Sequence, residues 1–197
     1  SAQQNWAARP IGERVRILRT FARRLGEQRL ELATIVRSET GKPHTEALAE
    51  ILSALEAIRF YARVAPDLFR EQRVPTGWIR GKSARIVREP WGVVGAITPW
   101  NYPLTLTLDA VLAAVFAGNA VVVKPSEFTP LSALVLPELF ESAGVPKDLV
   151  CVVTGDATTG AALISSGIDK LVFTGSSATG RIVMSAAAQH LVPVVLE

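Results

Sequence analysis

Three short segments of the 197-residue chain carry residue types that could do chemistry. Pro99-Trp-Asn-Tyr-Pro103 presents Asn101 between two aromatics, in a turn that two prolines stiffen. A preorganised amide N–H₂ can stabilise a developing oxyanion, an effect worth about 3–4 kcal/mol where it has been measured. The plainer alternative is a structural Asn in a tight turn. Lys124-Pro-Ser-Glu127 places an amine donor and a carboxylate acceptor where they could hold a sugar's hydroxyls, and an acidic side chain near the ribose is common in dinucleotide folds. The competing reading is a solvated pair, with Ser126 capping the next helix. Gly175-Ser-Ser-Ala-Thr-Gly180 opens a helix, and backbone N–H groups there favour a phosphate. Its spacing is neither G-x-G-x-x-G nor a P-loop, so a simple Ser176 cap explains it equally well.

These segments gain meaning from the elements that precede them. Four apolar, β-favouring runs, at 92–97, 120–124, 149–153 and 170–173, are followed by a fifth at 192–197. Helical patterns at 104–117, 130–143, 158–166 and 177–190 separate them, an alternation that signals βαβ units. The runs are nearly continuous in Val, Ile and Leu, as a parallel sheet covered on both faces requires. The expected fold class is α/β, with a Rossmann-like, doubly wound, mainly parallel sheet. Ligands in such sheets sit at the carboxyl ends of the strands. All three polar segments fall there, and the fifth run ends on Glu197.

Upstream, residues 11–38 predict a helix broken near Gly26. Gly41 and Pro43 then stop it. A second amphipathic helix is expected over 45–64, because Leu48, Ile51, Leu52, Leu55 and Ile58 step by three and four. Residues 72–90 predict a projecting strand or hairpin. The resulting division is a helical part over 1–71, the projection over 72–90 and a Rossmann-like core over 91–197.

Residues 1–90 hold 17 Lys and Arg against 10 Asp and Glu, whereas 91–197 hold 4 against 8. The basic half does not point to nucleic acid. Arg14, Arg16, Arg19, Arg23, Arg24 and Arg29 alternate with Ile17, Leu18, Phe21, Leu25 and Leu30, which predicts the polar face of an amphipathic helix. No apolar run reaches the ~18 residues of a membrane span, and the N-terminus has no leader-like stretch. One cysteine, Cys151, excludes an intrachain disulfide and points to a reducing cytoplasm. It lies in an apolar strand and reads as a small buried hydrophobe. His44 and His190 lack the neighbours of a metal site, so none is expected.

Taken together, PWNYPL, AGNAVVVKPSE, the TGD turn, FTGSSATGR and the closing VLE resemble the aldehyde dehydrogenase superfamily. ETGKP at 39–43, followed by Glu46 and Glu50, and REPWGVVGAITPWNYP resemble it as well. The resemblance spans nearly the whole chain, with the motifs in the family's order.

It implies NAD(P)-dependent oxidation of a small-molecule aldehyde to an acid through a cysteine thiohemiacetal and thioester. Asn101 would be the oxyanion donor and Glu197 the base that activates water. Lys124 and Glu127 would hold the adenosine ribose, with Ser126 in the same turn. Gly175 and Ser176 would meet the pyrophosphate, with Phe173, Thr174 and Thr179 in the same segment. Ile97, Thr98, Pro99 and Trp100 would line the cofactor cleft, and Gly155 and Gly160 would lie beside the adenine. Glu127 favours NAD⁺, since a carboxylate repels a 2′-phosphate, while Lys124 keeps NADP⁺ open. The projection implies a homo-oligomer, dimeric or tetrameric. The family's nucleophile lies downstream of the general base. The chain therefore reads as a cofactor-binding fragment, inactive alone. Two alternatives stay open: a non-catalytic dinucleotide-binding or oligomerisation module, and an acyl-phosphate reductase relative that needs no glutamate base.

Overall fold

The β-branched runs form the strands that the alternation predicts. A computed structural model describes residues 1–78 and 81–197. In it β3 (Val93–Ile97), β4 (Ala120–Lys124), β5 (Val150–Val152), β6 (Lys170–Phe173) and β7 (Val194–Leu196) make one sheet in the order β5-β4-β3-β6-β7. Every pairing in it is parallel. The strand order reverses between the β3–β4–β5 half and the β6–β7 half. That makes β3/β6 the switch point where a doubly wound sheet opens its crevice.

The connecting helices are α5 (Pro103–Ala117), α6 (Leu131–Leu134), α7 (Leu136–Ser142), α8 (Ala157–Ser165) and α9 (Ser177–Gln189). The single helix expected over 130–143 is two. Pro137 cannot donate to a carbonyl one turn back, so the chain restarts at Leu136. α5 is apolar almost all round and is the most deeply buried helix of the sheet layer.

Ahead of the sheet lie α1 (Ala2–Ala7), α2 (Ile11–Glu27), α3 (Arg29–Thr40) and α4 (His44–Leu68). The break comes at Gln28, two residues after Gly26. Gly41 ends α3 in a left-handed conformation, φ 72°, which costs a residue without Cβ little. α4 continues through Pro66 into a last turn beyond the expected end. α1 was not foreshadowed by apolar periodicity. It is fixed instead by a Ser1–Gln4 capping box and by Trp6, whose buried indole donates to the Val115 carbonyl at 2.8 Å.

Two arginine-face expectations fail. Arg14 is buried rather than solvated. Its Nη1 donates to the Ala7 carbonyl at 3.4 Å, closing the end of α1. It fits because Gly118 beside it has no side chain: a Cβ there would come within 2.6 Å of Nη1. Leu30, expected on the apolar face, is exposed, because α2 has already ended.

One core joins α1–α4 to β3, β4, β5, α5 and α7, with Phe21 stacked on Phe140 at 3.9 Å between ring centres. A smaller one joins α8, α9 and β6. β1 (Gln72–Val74) and β2 (Ala84–Ile86) pair antiparallel as an exposed hairpin. Ile79 and Arg80 of the expected projection lie outside the described residues.

Candidate functional site

Each sheet strand delivers its polar segment to the same edge. After β3, Thr98 is buried, and its hydroxyl shares a 2.8 Å hydrogen bond with that of Thr107 on α5. Its N–H donates to the Lys124 carbonyl at 3.2 Å, which continues the ladder one residue past the strands. The chain then turns outward. Trp100 and Asn101 are exposed, and the Asn101 side-chain amide makes no hydrogen bond among the described residues. An amide left free in this way can serve an incoming acceptor.

At the end of β4, Lys124 is only 5% exposed. The solvated-pair reading therefore does not fit it. Its Nζ reaches the exposed Glu127 carboxylate at 3.4 Å. The Glu127 backbone N–H and then Lys124 hold that carboxyl below the usual range, so it stays ionised. Ser126 is buried and closes a tight turn by accepting from the Phe128 N–H at 3.3 Å.

Beyond β5, Gly155 adopts φ 148°, and a Cβ there would collide with Thr159. This turn delivers Asp156, whose carboxylate caps α8 by accepting from the Thr158 N–H at 2.9 Å. Gly160 on α8 is buried against Ile97 at the end of β3. Beyond β6, Gly175 passes edge-on to the Phe173 ring, where a Cβ would approach within 2.6 Å. Ser176 caps α9 by accepting from the Thr179 N–H at 3.2 Å, and the two hydroxyls lie 3.0 Å apart. The cap takes one of the four free N–H groups of the helix start and leaves the others available.

Glu197 is tied at the backbone to this loop. Its N–H donates to Phe173 and its carbonyl accepts from Gly175, at 3.0 and 3.1 Å. A cleft of about 430 Å³ is lined by Pro99, Trp100, Asn101, Leu106, Thr174, Gly175, Ser176 and Glu197. It brings Asn101 and Glu197 to one cavity. Lys124, Ser126, Glu127, Gly155 and Gly160 do not line it; they belong to the β3–β5 side of the same edge.

A second groove, about 310 Å³, runs between α5 and the bare face of β6 and β7. It shares Leu106, Thr174 and Glu197 with the cleft and adds Tyr61 and Asp109. Burial, then Glu197, raises the Asp109 carboxyl, and burial, Asp109 and Glu197 raise the Tyr61 phenol.

Cys151 is half-buried on β5, not fully buried as its apolar run suggested, because β5 is an edge strand. Burial, then Asp148 and Glu141, push its thiol up, which suppresses the thiolate. β4, β3 and β6 separate β5 from β7, which amounts to roughly 19 Å at ~4.8 Å per strand.

Sequence reasoning missed the groups that hold these loops. Glu39 accepts from the Leu131 N–H, the Ser132 N–H and the Ser132 hydroxyl, and so caps α6 after the Lys124–Glu127 turn. Lys42 and Glu50 act likewise on the Asn101 turn. The ETGKP segment was legible as a helix stop, but nothing local signals what its charges touch. Among the described residues no group of three or more His, Cys, Asp or Glu could hold a metal ion. Among the described residues no helix is long and apolar enough to cross a membrane.

A parallel sheet reversing beside a cleft, with glycine turns and helix starts along its carboxyl edge, defines a Rossmann-like nucleotide-binding α/β domain. The chain belongs to the aldehyde dehydrogenase family, whose model matches residues 1–197. It is 42% identical over 196 residues to a 4,4'-diapolycopene aldehyde oxidase of Methylomonas sp., covering 98% of this chain and 37% of that protein. It is 40% identical to a putative succinate-semialdehyde dehydrogenase [NADP(+)] of Mycolicibacterium smegmatis, again over 98% of this chain and 37% of the relative. The crystal structure of a NAD-dependent benzaldehyde dehydrogenase from Corynebacterium glutamicum superposes with a TM-score of 0.91 at 34% identity, over 98% of this chain and 43% of that one. The chain thus spans less than half the length of these proteins.

Proposed function

We propose that a protein carrying this chain oxidises an aldehyde to a carboxylic acid with a nicotinamide dinucleotide, and that these residues supply the cofactor site, the oxyanion donor and the water-activating base. The observation that carries this is the shared cleft of Asn101 and Glu197 beside Thr174, Gly175 and Ser176. The free Asn101 amide donates to the oxygen that becomes negative when a nucleophile adds to the aldehyde carbon. Glu197, exposed beside it, takes a proton from the water that releases the acid.

The strand ends fit a dinucleotide. Gly155 and Gly175 let the Thr159 and Phe173 side chains lie against the turn backbone, and the start of α9 keeps N–H groups for a phosphate beyond the one that Ser176 takes. Lys124 and Glu127 offer a donor and an acceptor to ribose hydroxyls. Bound NAD⁺ supplies the hydride acceptor. NAD⁺ is preferred to NADP⁺, because Glu127 stays ionised at the ribose position while the Lys124 charge is already engaged with it. The single thiol lies at the far edge of the sheet, so these 197 residues alone do not form a thioester. The hairpin, exposed along both strands, supports a homo-oligomer, and the lone cysteine supports a cytoplasmic setting.

Calorimetric titration tests the reading. NAD⁺ should bind at least ~10-fold more tightly than NADP⁺, a gap of about 1.4 kcal/mol. Lys124→Ala should lose a similar factor, and Glu127→Gln should narrow the gap. Equal binding of both nucleotides with no effect of either substitution would sink the assignment of the β4 end.

A further inference from the structure

The Asn101 turn lies on the surface, yet two residues of the helical layer hold it from beneath. Glu50, on α4, has a side chain 1% exposed. One of its oxygens accepts from the Leu104 and Thr105 N–H groups at 3.2 and 3.3 Å. These are free donors of the first turn of α5, a helix whose own N-cap, Tyr102, makes no side-chain cap bond. A carboxylate at that position also meets the positive end of the helix. The other oxygen accepts from Lys42 Nζ at 2.6 Å.

Lys42 has three donor directions, and each has a target. One is Glu50. A second is the Asn101 carbonyl, at 2.7 Å. The third faces the Tyr102 ring, 4.1 Å from its centre. A cation so placed reads the backbone of Asn101 and the face of its neighbour together, and it leaves the Asn101 amide free. Thr105 fastens the same crossing by donating its hydroxyl to the Glu50 carbonyl at 3.1 Å.

We propose that Lys42 and Glu50 are positioning residues that lock the Asn101 turn onto the start of α5, so that the Asn101 amide is aimed before substrate arrives. A buried ion pair is a poor source of net stability. What this one adds is a fixed register between two helices far apart in sequence. The kinetic consequence rests on the reading of Asn101 as the oxyanion donor; the locking itself rests on the contacts alone.

Lys42→Met strands the Glu50 carboxylate, so Lys42→Met/Glu50→Gln is measured beside it. The double variant is neutral at both positions. It keeps an acceptor for the α5 amides and lacks the tether to Asn101. The first readout is ¹⁵N relaxation on the 197-residue chain. The order parameters of the Asn101 and Tyr102 amides should fall from about 0.85 to below about 0.6 in either variant, while those of β3 and β4 stay unchanged. The second is turnover in a full-length protein carrying this chain. kcat should fall by about 10²-fold, the scale of one oxyanion donor, with KM for NAD⁺ within twofold. Adding Asn101→Ala should then cost less than threefold more. Rigid amides at Asn101 and Tyr102 in a folded double variant would overturn the proposal. An Asn101→Ala protein with unchanged kcat would remove the oxyanion role, and the relaxation data would still decide the lock.

Discussion

The two halves of the sheet present the same kind of strand-end loop in opposite physical settings. At β3 and β4 the strand ends are covered on both sides. Thr98, Lys124 and Ser126 are buried, and the layer of α1–α4 packs beneath them. At β6 and β7 the loops are exposed, the core below is small, and Val195, Leu196, Ile182 and Met184 face outward. The half that carries Asn101 and Lys124 is thus held by buried side chains and the large core. The half that carries Ser176 and Glu197 is held by a few backbone hydrogen bonds. On the proposed reading of Lys124, Glu127 and Ser176 as cofactor contacts, a bound dinucleotide would bridge the two halves.

The comparison breaks first in the large core. Phe21→Ala removes a fully buried ring stacked on Phe140 and should cost about 3–5 kcal/mol in denaturant unfolding. A loss below about 1 kcal/mol would mean that the helical layer does not support the β3–β4 half as argued. Gly175→Ala probes the other half. Its methyl would press on the Phe173 ring, so the loop must shift, at about 1–3 kcal/mol. Dinucleotide affinity should fall with it, while the Asn101 turn keeps its relaxation behaviour. A matching change at Asn101 would show that the halves are coupled, against the contrast drawn here.

The smallest effect lies in the groove between them. Burial, then Glu197, raises the Asp109 carboxyl, so its protonated form suits the fold better than its anion. Stability from this group is complete below the unfolded value near 3.9 and is lost as pH rises through the raised folded value. Asp109→Asn should therefore be more stable than the parent at pH 7, by no more than about 1 kcal/mol because water reaches the site. The advantage should vanish below about pH 4. An advantage that persists at pH 3 would mean that packing, not charge, is responsible.

Much of this architecture could be read along the chain. Runs such as Ala120–Lys124 are too apolar and too β-branched for anything but an inner strand, and each strand-end segment followed from its run. Helix ends were readable where a residue's own covalent geometry sets them, as at Gly41, whereas the apolar pattern over 130–143 runs on across Pro137 and hides the break there. α1 escaped because its anchor is one tryptophan bonded to a carbonyl 109 residues away.

Periodicity reports which face of an element is apolar, and backbone chemistry reports where it starts and stops. The sequence by itself therefore determined the strands, their order of polar loops and the residues offered at the sheet's carboxyl edge. It could not say which charges would be buried, because burial depends on what crosses above. Arg14 lies under Gly118, Lys124 lies inside the strand end, and Glu39, Lys42 and Glu50 cap helices and turns 54 to 93 residues away. Only the packed structure decided those pairings, since a charge leaves water at a cost that only a partner in place can offset.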